Sequence, residues 1–283
     1  MTIPTFPNST TSESLLPLRI MTFNVRYPNP LDGPNLWGRR RNLLVETISD
    51  SDPDALGTQE LHDLQAEYLV QSLPAYRWFG RSRRGSLADE HVGIFYRADR
   101  LQLLDSGDFW LSDTPDIPAS MAWGVSLPRM VTWGLFQPIG GPAGFYLFNT
   151  HFPHRPEEEE ARTRSATLLA DRLAQLSLDR PAVVTGDFNA SPRQECYRIL
   201  SQILRDAHDE AHRRSGPEET FHGFEGRPSA GRIDWILFRG PWKALECHTL
   251  VHNREGRYPS DHFPVLAVLK PAAVHRSTSP PTS

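Results

Sequence analysis

Short, continuous runs of apolar residues recur along this chain, and many of them stop at a polar or acidic residue. Runs of this length, rich in β-branched and aromatic residues and bounded by Gly, Pro, Asn or Asp, predict β-strands. The predicted strands cover residues 18–25, 54–59, 91–97, 101–111, 130–137, 144–152, 182–187, 233–238, 243–251 and 264–269. Four other stretches repeat their apolar residues every three or four positions, which predicts helices over 39–49, 62–72, 157–176 and 193–204. Pro156 followed by four glutamates at 157–160 marks the start of the third helix, because proline suits a first turn and acids suit the positive end of the helix dipole. The order strand, helix, strand, helix occurs twice, once near the start and once from about residue 144, each time followed by hairpin-like strands. Ala182-Val183-Val184 reads as covered on both faces, whereas 101–111 and 130–137 mix apolar and polar positions like a sheet with an open face or edge. Two sheets packed together with helices outside satisfy both patterns.

Composition narrows this picture. The 283 residues suffice for one large domain, and no linker divides 17–270, so that span is expected to be a single α/β domain. Residues 1–16 and 271–283, rich in Ser, Thr and Pro, are expected to be flexible tails. A net charge of -4 argues against a broad basic surface for nucleic acid, although a local basic groove stays open. The only cysteines, Cys196 and Cys247, lack metal-ligand spacing and form no disulfide framework, which fits a reducing compartment. The N-terminal segment has no basic, apolar leader pattern, and no run approaches the roughly 18 apolar residues of a membrane span. A soluble, cytoplasmic monomer is the expectation.

The polar residues that end the strands carry the chemistry. Asn24 ends the first predicted strand and Glu60 follows the second; alone, one reads as a turn residue and the other as a helix-start acid. Their recurrence at matching strand ends suggests oxygen ligands for a hard cation such as Mg²⁺, which uses one or two carboxylates and keeps several waters. His151 lies at a third strand end, and Asp187 and Asn189 lie at a fourth, where residues i and i+2 of extended backbone would project to one side. Asp234 sits inside an apolar strand, where an ionised carboxylate needs a partner, and histidine is the natural one. Asp261 and His262 are adjacent ahead of the last strand. Because neighbours in a strand face opposite sides, His262 is expected to pair with Asp234, which frees Asp261 for a metal.

The series Phe23-Asn24, Gln59-Glu60, Thr150-His151, Gly186-Asp187-Phe188-Asn189, Arg232-Ile233-Asp234 and Ser260-Asp261-His262 resembles the endonuclease/exonuclease/phosphatase superfamily over about residues 18–270. The resemblance is greatest to compact bacterial members with a Thr-Phe-Asn-Val-Arg opening and a Gly-Arg-Tyr-Pro-Ser-Asp-His-Phe-Pro-Val ending. It implies a four-layer α/β/β/α sandwich of two packed mixed β-sheets flanked by helices, and Mg²⁺-dependent (or Mn²⁺-dependent) hydrolysis of a phosphoester. It further implies Glu60 as main metal ligand with Asn24 and Asp261 beside it, Asp187 as the group that aligns or deprotonates water, and Asn189 as a donor to phosphate. His262, oriented by Asp234, would contact the scissile phosphate, and Glu90 would pair with His151 to protonate the leaving oxygen.

The extra basic loops and active-site tyrosine motif of the abasic-site enzymes have no match here, so a small organic phosphate or phospholipid-like diester is favoured over nucleic acid. An inactive binding scaffold is the remaining alternative. His154, Arg129 and Arg26 are the candidate substrate contacts. Trp110, Trp123 and Trp133 could line a cleft or simply pack in the core, and Arg81, Arg83 and Arg84 could hold phosphate or form a solvated loop.

Overall fold

The computed structural model describes residues 16–85, 89–141, 144–176 and 180–271. The expected tails therefore lie outside the described residues, apart from Leu16 and Pro271.

Thirteen strands and five α-helices follow in the order β1 (Leu18–Asn24), α1 (Trp37–Ser51), β2 (Ala55–Gln59), α2 (Asp63–Ser72), β3 (Tyr76–Phe79), β4 (Ile94–Arg97), β5 (Leu101–Trp110) and β6 (Met130–Pro138). They continue with β7 (Phe145–His151), α3 (Glu159–Ala174), β8 (Ala182–Asp187), α4 (Glu195–Ser201), β9 (Arg205–Asp206), α5 (Ala207–Glu210), β10 (Arg213–Ser215), β11 (Asp234–Arg239), β12 (Trp242–Thr249) and β13 (Val265–Pro271). Each strand predicted from the apolar runs is present. The sequence pattern missed β3, β9, β10 and α5, which are only two to four residues long. The predicted helix over 193–204 shrinks to α4, because Ser191 and Gln194 close a turn on each other instead of starting a helix.

Seven strands form one sheet in the order β10-β12-β13-β1-β2-β4-β3, and six form the other in the order β5-β6-β7-β8-β11-β9. Both are mixed. β1 and β2 run parallel across α1, β7 and β8 run parallel across α3, and most other pairs are antiparallel. Ile20, Ala55, Ile94, Phe136, Phe145, Leu147, Val183, Ile236 and Ala267 fill the space between the sheets. On the outer faces, Met21, Phe23 and Leu56 pack with Leu44, Ile48 and Leu69 of α1 and α2, while Val184, Trp235 and Phe188 pack with Leu169, Leu173 and Leu200 of α3 and α4. The result is the expected α/β/β/α sandwich. No helix among the described residues is long and apolar enough to cross a membrane.

Near one rim the interior between the sheets turns polar. Gln59 Nε2 donates to Asn149 Oδ1 at 2.7 Å, and Asn149 Nδ2 donates to the carbonyls of Thr58 and Gly93 at 2.8 and 2.9 Å. Thr185 Oγ1 reaches the same Asn149 oxygen at 3.2 Å. Gly57 lets the sheets close here, since a Cβ on it would lie 2.2 Å from Thr185 Oγ1. This network ties both sheets together one or two residues before Glu60, His151 and Asp187.

Candidate active site

Strand register gathers the polar rim. In the second sheet Asp187 of β8 stands beside His151 of β7 on one side and Asp234 of β11 on the other. In the first sheet Asn24 of β1 pairs with Gln59 of β2, so Glu60 emerges next to Asn24. The segment leading into β13 then passes between the two rims and adds Asp261 and His262. Because β11 and β13 run antiparallel to their neighbours β8 and β1, their beginnings meet the ends of β1, β2, β7 and β8.

These groups bond to one another. Asn24 Nδ2 donates to Glu60 Oε1 at 3.1 Å and to Asp187 Oδ2 at 3.0 Å, joining the two sheets' carboxylates. His262 Nδ1 lies 2.9 Å from Asp234 Oδ2, which is the pairing expected from strand alternation, and its Nε2 lies 3.8 Å from Asp187 Oδ2. His151 Nε2 lies 3.5 Å from the same Asp187 oxygen. Glu60 and Asn189 both take left-handed backbone conformations, with φ of 58° and 48°. Non-glycine residues adopt these only when the surroundings hold them, and such strain gathers at functional sites. At Asn189 the cause is visible: its N–H donates to Asp187 Oδ1 at 3.0 Å and its Nδ2 to the Phe152 carbonyl at 3.1 Å. The two side chains meet through this turn and not through the extended i, i+2 geometry expected from the sequence.

Electrostatics sort the titratable groups. Burial alone would depress the His262 imidazole, yet the charges of Asp234 and Asp187, the Asp234 hydrogen bond and Asp261 push it up to about 10. Burial and the charge of Asp234 raise Asp187 to about 7 against the opposing pull of His262 and Asn24. His151 is held well below the ordinary imidazole range by burial and by Arg129 and Arg83, so it is neutral. Burial raises Asp261 too, and Glu60 adds to that rise.

A cavity of about 940 Å³ opens onto these groups. Ten of the twelve residues singled out in the sequence line it: Arg26, Glu60, Glu90, Arg129, His151, His154, Asp187, Asn189, Asp261 and His262. Asn24 and Asp234 stand behind the wall, bonded to the groups that do line it. Arg129 is 5% exposed, and its Nη2 bonds His154 Nδ1 at 3.0 Å; among the described residues no carboxylate comes within ion-pairing distance of it.

Two expectations need correction. Glu90 pairs with Arg83 Nη1 at 2.8 Å, and no hydrogen bond joins it to His151 among the described residues. Burial and the charge of Glu60 raise the Glu90 carboxyl to about 7 despite Arg83. Arg83 is no solvated loop residue: it is buried on the cavity wall and also bonds Asp89 at 2.9 Å. Of the two readings of the tryptophans, packing holds: Trp110 is buried with its indole N–H on the Arg83 carbonyl, Trp123 and Trp133 pack against the core of the second sheet, and none of the three lines this cavity.

Arg40 was not among the candidate residues read from the sequence. This fully buried guanidinium donates to the carbonyls of Val25, Pro259, Arg26 and Asn35 at 2.7, 2.8, 2.6 and 3.1 Å, and so clamps the segments that carry Asn24, Arg26 and Asp261. Phe221, which touches the His262 ring edge-on at 5.1 Å, and Phe224 add an aromatic wall from the loop before β11.

Two donor sets could hold a divalent ion. Asp187, Asp234 and His262 offer atoms within 4.8 Å of one another. In that set the cationic imidazole already bonds Asp234 and faces Asp187, so a metal would have to displace its proton. Glu60 and Asp261 supply carboxylate oxygens that suit a hard cation better, and Asn24 stands beside them with its Nδ2 on Glu60 and its Oδ1 on the Arg26 N–H.

Two packed sheets with helices outside and a rim of carboxylates, imidazoles and an amide define a DNase I-like hydrolase. The model of the Endonuclease/Exonuclease/phosphatase family matches residues 21–262, and the chain belongs to that family, whose members are phosphoesterase hydrolases. It is similar to the crystal structure of a family protein from Bacteroides thetaiotaomicron, with a TM-score of 0.86 and 32% identity over 91% of this chain and 98% of that one. It is likewise similar to a mannosyl-6-phosphatase from the same organism, with a TM-score of 0.83 and 32% identity over 89% of this chain and 99% of that one. Uncharacterized protein L388 of Acanthamoeba polyphaga mimivirus is 28% identical over 56% of this chain. The chain spans 60% of the length of that curated relative and 57% of the length of the Drosophila melanogaster protein angel.

Proposed function

We propose that this chain hydrolyses a small organic phosphate by in-line attack of water on phosphorus, with a divalent cation, Mg²⁺ or Mn²⁺, held by Glu60 with Asn24 and Asp261 beside it. The observation that carries the reading is the His262 imidazolium, fixed by Asp234 and facing Asp187 across the floor of the cavity. When bound, the cation would supply Lewis-acid stabilisation of phosphoryl charge. His262 donates its Nε2 proton to a nonbridging oxygen as charge develops there, and burial makes that bond strong. Asp187, raised to about 7, aligns the attacking water and can accept its proton near neutral pH. The Asn189 amide spends one proton on Phe152 and keeps a second for the phosphate. His151 is neutral, stands 3.5 Å from Asp187 through Nε2, and does not act as the acid of a Glu-His pair.

The likeness to a mannosyl-6-phosphatase over nearly the full length of both chains supports a small phosphorylated organic molecule as substrate. So do the formal charge of -4 and the aromatic wall of the cavity, which offer no broad basic track for a nucleic-acid backbone. A phospholipid-like diester fits the same chemistry.

The test is release of phosphate from p-nitrophenyl phosphate and sugar phosphates, and of the alcohol or phosphomonoester from bis-p-nitrophenyl phosphate and lysophospholipid, beside plasmid nicking. Each is run with Mg²⁺, with Mn²⁺ and with chelator. Turnover of a small phosphate, stopped by chelator and restored by metal, is the expected result. Nicking that outpaces every small substrate would reassign the chain to nuclease action, and a folded protein inert on all of them would make it a scaffold.

A further inference from the structure

The backbone enters the left-handed region at Arg26, with φ of 54°. That conformation costs a non-glycine residue on the order of 1 kcal/mol. Three bonds hold it there: its N–H donates to Asn24 Oδ1 at 3.0 Å, and its carbonyl accepts from Arg40 Nη2 at 2.6 Å and from Gln65 Nε2 at 2.9 Å. The far end of the side chain is anchored by Asp32, at 2.9 Å from Nη2 and 3.2 Å from Nε. The remaining nitrogen, Nη1, lies 3.6 Å from Asp261 Oδ2 and 3.9 Å from Glu60 Oε2. The guanidinium is thus fixed between two carboxylates without closing a hydrogen bond on either. It neutralises part of their charge; with one bond each from Asn24 Nδ2 and the Tyr27 N–H to Glu60 and from Ser260 Oγ to Asp261, both carboxylates keep lone pairs for another ligand.

We infer that Arg26 is a permanent internal cation that shares the Glu60 and Asp261 carboxylates with the divalent ion and keeps that ion weakly held until a phosphate arrives. The inference rests on the metal-dependent reading above. A fixed positive charge a few ångströms from a divalent site opposes binding even with strong screening. A phosphate anion attracts both cations and reverses the balance, so metal and phosphate bind with positive coupling. Asp32 has the opposite part, since it draws the guanidinium away from the two metal-side carboxylates.

The experiment titrates Mn²⁺ into the chelator-stripped full chain by calorimetry, with and without inorganic phosphate. Wild type is expected to bind Mn²⁺ weakly alone and at least tenfold more tightly with phosphate. Arg26→Gln should tighten Mn²⁺ about tenfold without phosphate and lose most of the phosphate effect. Arg83→Gln removes the same charge from the same cavity, where Asp89 and Glu90 already pair with it, and should change Mn²⁺ affinity less than threefold. In thermal melts the metal-free Arg26→Gln protein should lie below wild type, with Mn²⁺ recovering the deficit; a merely structural role would lower both melts equally. Asp32→Asn gives a second variant of opposite sign, with Mn²⁺ weakened at least threefold as the guanidinium closes on Glu60 and Asp261. Unchanged or weaker Mn²⁺ binding in Arg26→Gln, equal tightening in Arg83→Gln, or unchanged or tighter binding in Asp32→Asn overturns the inference alone. A wild type that binds no Mn²⁺ even with phosphate overturns the metal-dependent reading as well.

Discussion

Replacing Asp234 by Asn tests whether His262 is held as a cation. The Nδ1–Oδ2 contact of 2.9 Å joins two side chains that are 5% and 1% exposed, so little water screens it. An imidazole moved from 6.5 to about 10 gains roughly 5 kcal/mol in favour of its charged form, at about 1.36 kcal/mol per pH unit. Burial acts against that gain, and Asp234 is the largest of the groups that overcome it, through both its charge and its hydrogen bond. Asn keeps the shape and a hydrogen-bonding oxygen but removes the charge.

In metal-free buffer with chelator, the wild-type His262 ring should stay protonated beyond pH 8 by nitrogen-detected NMR, whereas in Asp234→Asn it should lose its proton at least one pH unit lower. Stability follows with a definite sign. A pKa raised on folding stabilises fully below the unfolded value near 6.5 and loses that contribution as pH climbs toward 10. The variant should therefore melt well below wild type at pH 6, by about 3 kcal/mol or more, with a gap that narrows by pH 9. Turnover with Mg²⁺ should fall on the order of 10²-fold to 10³-fold, the range for losing a group aimed at developing charge. A wild-type ring that titrates between 6 and 7, or a melting gap that stays constant with pH, would refute the reasoning.

Three further outcomes follow from the same geometry. Arg40→Met removes this donor from the carbonyls of Val25, Pro259 and Asn35, each an unmet acceptor worth about 1–3 kcal/mol when buried, while Gln65 still serves that of Arg26, and should cost about 3 kcal/mol or more in denaturant unfolding; wild-type stability would contradict the clamp. Gly57→Ala puts a methyl 2.2 Å from Thr185 Oγ1 and 2.5 Å from Asn149 Oδ1, so it should destabilise by about 1–3 kcal/mol and lower activity, because both displaced residues lie two positions before Asp187 and His151. Unfolding curves and kcat report it, and an active variant of unchanged stability would mean the sheets can part there freely. Asp187→Asn should keep the fold, as judged by circular dichroism and Tm, and lose at least about 10²-fold in kcat with little change in KM, whereas a KM effect alone would make Asp187 a binding group.

The architecture was legible because its strands carry their own signature. Ala182-Val183-Val184 is covered on both faces in the structure, as its unbroken apolar run required, and β5 keeps the exposed middle that its mixed pattern announced. What escaped was short or dictated from a distance. β9 and β10 are two and three residues long and exist because β11 and β12 offer them backbone partners, a cause with no local trace. β3 is an edge strand whose exposed Arg77 breaks any apolar run.

The site divides along the same line. Single polar residues at the ends of apolar runs are visible from sequence because a sheet delivers every strand end to one of two rims, so recurrence alone predicts convergence. The His262–Asp234 pairing was legible from side-chain alternation, although the two residues stand 28 positions apart. The reach of a long side chain is different. Glu90 could have turned toward His151 or Arg83, and only the packed loop chooses Arg83. Arg40 did leave a trace: it stands at the first position of the stripe 40, 43, 44, 47 and 48 that α1 buries. A charged residue on such a stripe, with no acid at helical spacing to pair with it, must find its acceptors elsewhere. Here they are carbonyls of the very segments that shape the site. Read that way, a misplaced charge in an apolar pattern points to the scaffold behind a site, just as polar strand ends point to the site itself.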